Sequence, residues 1–193
     1  RRQIAALNEA LGASEKKTEE SDKTIKDLGT RLNAALAREV QELQRYRSDF
    51  FGRLRETLKD RKDIRVVGDR FVFESEVLFP SGAATLTPEG LSPMDQMAAA
   101  IVDLDKQIPK EIDWALQIDG HTDARPISSA QFPSNWELST ARASSVVKYM
   151  ITRGVPANRL VAAGYGEFRP LEGGTTDDAL KKNRRIELKL TNR

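Results

Sequence analysis

The sequence predicts an α/β fold: a two-layer mixed four-stranded sheet with helices on one face, preceded by a long N-terminal α-helix that forms a coiled coil. Three observations carry this expectation. Residues 1–60 contain no proline and repeat their apolar residues at a spacing near 3.5. Beyond about residue 70, segments of period two alternate with segments of period 3.6, the periods of strands and helices. Glycine and proline fall where those segments should end.

The first 60 residues are rich in Ala, Glu, Lys, Arg and Leu, all strong helix formers, and include only Gly12, Gly29 and Gly52 as breakers. The apolar series runs Ile4, Leu7, Leu11, then Ile25, Leu28, Leu32, Leu36, Val40, Leu43, Phe50, Leu54 and Leu58. One extra four-residue step reads as a stutter in a heptad seam. Between Leu11 and Ile25 the seam falls on Ser14, Thr18 and Ser21, a weakly packing stretch. A homodimeric coiled coil is the expectation, and a single amphipathic helix folded onto its own domain is the alternative. At 1.5 Å per residue such a stalk is roughly 90 Å long.

The run Lys59–Arg70 breaks the pattern, which divides the chain into a stalk (1–60), a junction (61–69) and a globular domain (70–193). Arg70–Phe79 reads as a strand with Phe71 and Phe73 on one face. Thr87 and Pro88 supply an N-cap and a first-turn proline for a helix whose stripe is Leu91, Met94, Ala98, Ile101 and Leu104. Trp114–Thr122 is a second strand, with Trp114, Leu116 and Ile118 on one face and Gln117, Asp119, His121 and Asp123 on the other. Ser134 and Glu137 have capping-box spacing and open a helix that buries Ala143, Val147 and Met150 and ends at Gly154. Leu160–Gly166 and Arg185–Leu190 complete the sheet.

Composition narrows the function. Residues 1–65 carry 16 Lys/Arg and 12 Asp/Glu, and residues 66–193 carry 15 and 17. A slightly acidic domain is a poor nucleic-acid binder, because that affinity rests on many Lys/Arg–phosphate contacts. The absence of cysteine removes disulfides, thiolate catalysis and Cys-based zinc sites. No apolar run is long enough to span a bilayer and no signal peptide is present. The chain opens on Arg1-Arg2 without Met, so a natural N-terminus upstream is expected.

The informative stretch is residues 118–143. Asp123 lies just past a strand end and Arg142 in the third turn of the following helix. A carboxylate and a guanidinium facing one cleft suit a zwitterion, the arginine taking a carboxylate bidentately and the aspartate accepting from an ammonium. The alternative is that the two side chains simply pair with each other.

GHTD (120–123), NWELSTARA (135–143), AAGYGE (162–167) and NRRIEL (183–188), with the lead-in VLFPSGAATLTPEG (77–90), stand in the order and spacing of one family. Over residues 70–192 the chain resembles the OmpA C-terminal-like, or OmpA/MotB, domain, and its SNWELS wording resembles MotB-type members most. The resemblance implies non-covalent binding of the peptidoglycan stem peptide, chiefly its diaminopimelate residue, whose free end is a zwitterion. Carried over by position, the principal ligand residues fall on Asp123 and Arg142. Thr122, Asn135 (by its amide) and Leu138 (through backbone) line the same pocket, Arg185 lies on the adjacent last strand, and Phe79 closes the wall. Many members place an acidic residue or Asn where this chain has Pro80-Ser81-Gly82, so that loop's side-chain contact is missing or replaced by backbone. The resemblance further implies a periplasmic location, an inner-membrane anchor and partner through a segment upstream of Arg1, and no cofactor.

Three rival readings remain. A metal site would use Asp119, His121 and Asp123, but ligands at i, i+2 and i+4 along a strand diverge and there is no second histidine. His121 is expected instead to be a hydrogen-bonded structural residue beside a turn at Gly120. A wall hydrolase would need paired carboxylates such as Asp119 and Asp123, yet Ser139 has no catalytic base in reach of the sequence, so no enzymatic activity is expected. Finally, the coiled coil could carry the function, with the domain as a cap.

Overall fold

The computed structural model describes residues 1–58, 64–110 and 112–192, without the side chains of Leu43, Arg47, Phe50, Arg53, Leu54, Thr57, Leu58 and Asn192. The side chains at the expected seam positions Leu43, Phe50, Leu54 and Leu58, the last two stalk residues 59–60 and the junction residues 61–63 therefore lie outside what is described. The chain divides into two compact units, residues 1–44 and 45–193.

Helix α1 spans Arg2–Leu58. Within the first unit it is a solvated helix, supported by i,i+4 ion pairs such as Lys23–Glu19 at 2.7 Å and Arg31–Asp27 at 2.9 Å. The expected seam residues Ile4, Leu7, Leu11, Ile25, Leu28, Leu32, Leu36 and Val40 are all exposed, by 47% to 73%. In the second unit Phe51 of α1 is buried and stacks on Phe71, their ring centroids 4.8 Å apart.

The sheet of the second unit has five strands, β1 (Ile64–Val67), β2 (Arg70–Glu74), β3 (Trp114–His121), β4 (Leu160–Gly164) and β5 (Arg185–Asn192), in the order β1-β2-β5-β3-β4. Only β3 and β4 run parallel; the other pairs are antiparallel. The α/β class and mixed sheet agree with the expectation, and the strand count is corrected from four to five. The added strand β1 lies in the assigned junction and closes a hairpin onto β2 through Gly68, whose φ of 60° suits the tight turn. Its four residues are too few and too interrupted by Arg65 to declare themselves. The first expected strand stops at Glu74 rather than Phe79, because one helical turn, α2 (Ser75–Leu78), intervenes. A short helix absent from the expectation, α5 (Asp177–Asn183), is capped by Thr176, whose side chain accepts from Ala179 N.

Register explains the layers. Phe71, Leu188 and Ile118 share one row across the sheet, and Phe73, Ile186 and Gly120 share the next row on the same face. Helix α3 (Pro88–Gln107), capped by Thr87, buries Met94, Met97, Ala98, Ile101 and Leu104. Helix α4 (Asn135–Thr152) buries Ala143 and Met150 as expected and Val146 in place of Val147, and Arg142 lies on the same buried face. Ser134 caps α4 by accepting from Trp136 N, and its hydroxyl is held by Glu137.

Gly120 is a strand residue, not a turn, and pairs with Gly164 on β4. A Cβ on Gly120 would lie 2.1 Å from Ser139 O, and one on Gly164 would lie 2.1 Å from Thr140 Oγ1. The two glycines let the α4 backbone touch the sheet, which fixes α4 relative to the end of β3. Ser139 Oγ accepts from Gly166 N at 3.0 Å and donates to Trp136 O at 3.1 Å, a purely structural use of that hydroxyl.

Candidate functional site

Where β3 ends, α2, α4 and the start of β5 enclose a cleft of about 270 Å³. Phe79, Thr122, Asp123, Asn135, Leu138 and Arg142 all line it, so six of the seven residues named from sequence converge on one place. The seventh does not. Arg185 lies on the opposite face of the sheet, donating to Glu187 Oε1 at 2.6 Å and to Arg169 O at 3.0 Å. Its neighbour Arg184 lines the cleft instead. The sequence places Arg185 on the last strand, where the structure has it, and Arg184, the residue just before that strand, is the cleft arginine that the sequence reading does not name.

Asp123 and Arg142 form no ion pair with each other among the described residues. The Arg142 guanidinium donates through Nε to Ala83 O at 2.8 Å and through Nη2 to Pro80 O at 3.3 Å, and it sits 5.3 Å from the Phe79 ring centroid. The Pro80–Ala83 loop thus contributes backbone carbonyls, not side chains, to this arginine. Burial, followed by the nearby Arg184 charge, lowers the Arg142 pKa to about 10, while Asp123 and Glu76 oppose that shift. Arg142 therefore stays cationic at neutral pH, and its Nη1 has no partner among the described residues.

Asp123 is held by different arginines. Its Oδ1 accepts from Arg125 N at 2.9 Å, and its Oδ2 from Arg125 Nε at 3.0 Å, Arg125 Nη2 at 2.7 Å and Arg184 Nη1 at 2.5 Å. Burial pushes its carboxyl up, but the Arg125 and Arg184 hydrogen bonds outweigh that and hold it below the ordinary aspartate range. Arg184 also donates to Glu76, so one guanidinium bridges two carboxylates across the cleft. The Arg125 side chain is 60% exposed, which makes it the most readily displaced of Asp123's partners.

The remaining lining groups have distinct uses. Asn135 Nδ2 donates to Arg125 O at 3.0 Å and Asp123 O at 3.4 Å, so the amide holds the loop that carries Asp123. Leu138 N donates to Ser134 O at 3.3 Å, which leaves the side chain as a cleft wall. Thr122 Oγ1 is buried without a hydrogen-bond partner among the described residues. Sequence reasoning missed Arg125, Arg184 and Glu76. The two-residue spacing of Asp123 and Arg125, which suits an Asx turn, was the available signal for the first.

The rival metal set of Asp119, His121 and Asp123 does not assemble. Asp119 and His121 face the other side of the sheet, where Glu187 joins them within 4.8 Å, and Asp123 stays in the cleft. His121 is buried and stacks on Tyr165, their centroids 5.0 Å apart, and neither ring nitrogen has a hydrogen-bond partner among the described residues. It is therefore packed rather than hydrogen-bonded.

The model of the OmpA family matches residues 78–184, more than half of the chain. The chain belongs to the OmpA family. Among curated relatives it is 37% identical to YtxE of Bacillus subtilis (strain 168) over 118 residues, covering 61% of this chain and 46% of that protein. It is 38% identical to outer membrane protein A of Escherichia coli O157:H7 over 129 residues, covering 62% of this chain and 35% of that one. The chain thus spans at most about half the length of these relatives. Its fold is similar to a MotB-like protein from Desulfovibrio vulgaris, with TM-score 0.64, 30% identity, and coverage of 79% of this chain and 98% of the other. It is also similar to the cell wall anchor of the T6SS from Pseudomonas aeruginosa, with TM-score 0.62, 25% identity, and coverage of 74% and 97%. OmpA-like and MotB-like relatives agree with the family read from the sequence motifs.

Proposed function

We propose that the second unit binds peptidoglycan without cleaving it, and that the cleft between Asp123 and Arg142 receives the zwitterionic end of diaminopimelate in the stem peptide. The observation that carries this reading is that the two opposite charges face one cleft and are not spent on each other. The Arg142 guanidinium, already steered by Pro80 O and Ala83 O, offers Nη1 to the ligand carboxylate. The ligand ammonium takes the place of the exposed Arg125 guanidinium on Asp123, while Arg184 stays to hold the carboxylate in place. Thr122 Oγ1 supplies a further polar contact, and Phe79 and Leu138 wall the methylene chain.

Cell-wall anchoring of the Pseudomonas aeruginosa relative supports this reading. In it the exposed apolar seam of α1 pairs with a second copy of the chain, so that two heads face the wall and avidity rises without new contacts. The domain boundaries follow as a stalk over residues 1–60, a junction over 61–69 and a binding domain over 70–193, with the β1 strand bracing the junction against the domain. The location is the periplasm, with a membrane anchor and membrane partner supplied by sequence upstream of Arg1; a stator role of the MotB kind is the specific form of this proposal.

Retention of the full chain on purified sacculi tests it. The parent should be retained and released by free diaminopimelate, no soluble muropeptides should appear, and Asp123→Ala should be lost to the wash. Equal retention of Asp123→Ala and parent contradicts the cleft assignment.

A further inference from the structure

The face of the sheet turned away from α3 and α4 carries a second chamber, of about 690 Å³, that shares no lining residue with the Asp123–Arg142 cleft. Strand alternation makes it. Residues 185, 187 and 189 of β5 and residues 119 and 121 of β3 all point to this face, opposite the apolar rows of Leu188 and Ile118. The strand register therefore gathers charge in a place where a two-layer fold would ordinarily place water or a further layer. The loop bearing Tyr165, Phe168 and Arg169 covers it.

The chamber's charge is unbalanced. Arg70, Arg169, Arg185 and Lys189 line it against Glu187, with Asp119 adjacent on β3. Four cations against two carboxylates stand out in a region, residues 66–193, where acidic residues outnumber basic ones by 17 to 15. Both carboxylates are already committed. Glu187 is held by Arg70 and by Arg185, and Asp119 by Gln117 Nε2 at 2.6 Å and by Lys189 at 3.2 Å. A metal ion bound by Asp119, His121 and Glu187 would have to break those pairs and sit among the displaced cations. An anion leaves them intact.

Donors with unused hydrogen-bonding capacity are present beside the chamber. Arg169 has no side-chain partner among the described residues. His121 is 97% buried, lines the chamber, and makes no hydrogen bond through either ring nitrogen among those residues, the Glu187 carboxylate oxygen lying 3.8 Å from Nε2. A buried N–H that makes no hydrogen bond beside a cationic chamber can donate to an oxygen ligand.

We infer that this chamber is an oxyanion site, formed by Arg70, Arg169, Lys189 and the His121 ring, for a phosphate group, free or carried as an ester. Several cations around one volume suit a group with at least three oxygens and up to two charges. Tyr165 and Phe168 give the chamber apolar walls on the loop side, so the non-phosphate part of an ester has somewhere to lie. Burial, together with the charge of Arg185, keeps His121 neutral down to about pH 4, so it enters as an N–H donor; Arg70 and Lys189 act in the same direction and Glu187 opposes them.

The chain has a single histidine, so one imidazole signal in an NMR titration reports on this chamber without assignment. Inorganic phosphate added to the full chain should shift that signal saturably and raise the pH at which it titrates, because a bound anion favours the charged ring. Glycerol 3-phosphate should do the same if an ester is accepted, and phosphate alone should do so if the site takes only the free ion. Arg169→Ala should weaken phosphate roughly tenfold, the loss of about one charge-assisted contact. Its sacculus retention should stay at the parental level, which separates this site from the cleft. Three outcomes overturn the inference: no saturable shift with phosphate, an equal shift with chloride at matched ionic strength, or saturable binding of zinc in place of phosphate.

Discussion

Arg184 Nη1 lies 2.5 Å from Asp123 Oδ2, and with Arg125 it surrounds the one carboxylate on which the proposed ligand contact depends. The carboxylate is therefore preorganised and charged, yet it must exchange one guanidinium for the ligand's ammonium. Arg125, exposed and on a loop, is the partner to be exchanged; Arg184, less exposed and tied to Glu76, is the partner that stays.

That division makes a directional prediction. Removing the competing guanidinium with Arg125→Ala should strengthen stem-peptide binding, by roughly three- to tenfold given the modest worth of a partly exposed pair. Removing Arg184 should weaken it, since Asp123 and Glu76 would then repel each other. Peptide titration of both variants checks the pair of signs, and weaker binding by Arg125→Ala would show that Arg125 itself contacts the ligand.

The contact between α4 and the sheet should be intolerant of any side chain at Gly120. Its Cβ would meet Ser139 O at 2.1 Å, and a backbone atom cannot move aside as a flexible side chain would. Gly120→Ala should lower stability by about 1–3 kcal/mol, the usual range for overpacking, and should reduce peptide binding through displacement of Arg142 on α4. Thermal unfolding and peptide titration measure the two effects.

His121 sets an acid limit on stability. Burial lowers its pKa to about 4 in the folded chain, against 6.5 for an ordinary histidine, so between those values the unfolded chain holds more protons. Its contribution is intact above pH 6.5 and is lost as the pH falls toward 4, by about 3 kcal/mol in total. His121→Gln should flatten that part of the stability–pH profile while leaving the carboxylate-driven loss at lower pH. A variant profile parallel to the parent's throughout the window would place the acid sensitivity elsewhere.

The exposed seam of α1 should carry self-association. Leu28 and Leu32 are 59% and 60% exposed, one turn apart. Replacing both with Glu should convert a sedimenting dimer to a monomer and lower sacculus retention through lost avidity, with soluble stem-peptide affinity unchanged. A parent that sediments as one chain at micromolar concentration contradicts the pairing.

The sequence made much of this legible, for identifiable reasons. Long amphipathic elements announce themselves by period, so α1, α3, α4, β3 and β5 were all expected. Asp123 and Arg142 stand out as an opposite-charge couple after a strand and on the next helix, but the spacing left their mutual pairing open, and the motifs GHTD and NWELSTARA are what singled them out. What escaped detection was short or depended on rotation. Strand β1 and helix α5 offer too few residues for a period to emerge. Arg184 and Arg185 are neighbours that serve opposite faces of the sheet, and the motif NRR alone does not say which of them borders the cleft. The same parity hid the partner of Asp119 and His121, because Glu187 joins them only once β5 lies antiparallel beside β3.

The most direct test of the central claim is calorimetric titration of a stem peptide ending in diaminopimelate into the full chain and into Arg142→Ala. Loss of the buried, charge-assisted contact from Arg142 Nη1 predicts saturable binding by the parent and roughly hundredfold weaker binding by the variant, with thermal unfolding showing that the variant remains folded. Equal affinity in the two proteins would contradict the account, since the cleft would then bind its ligand without the cation it is built around.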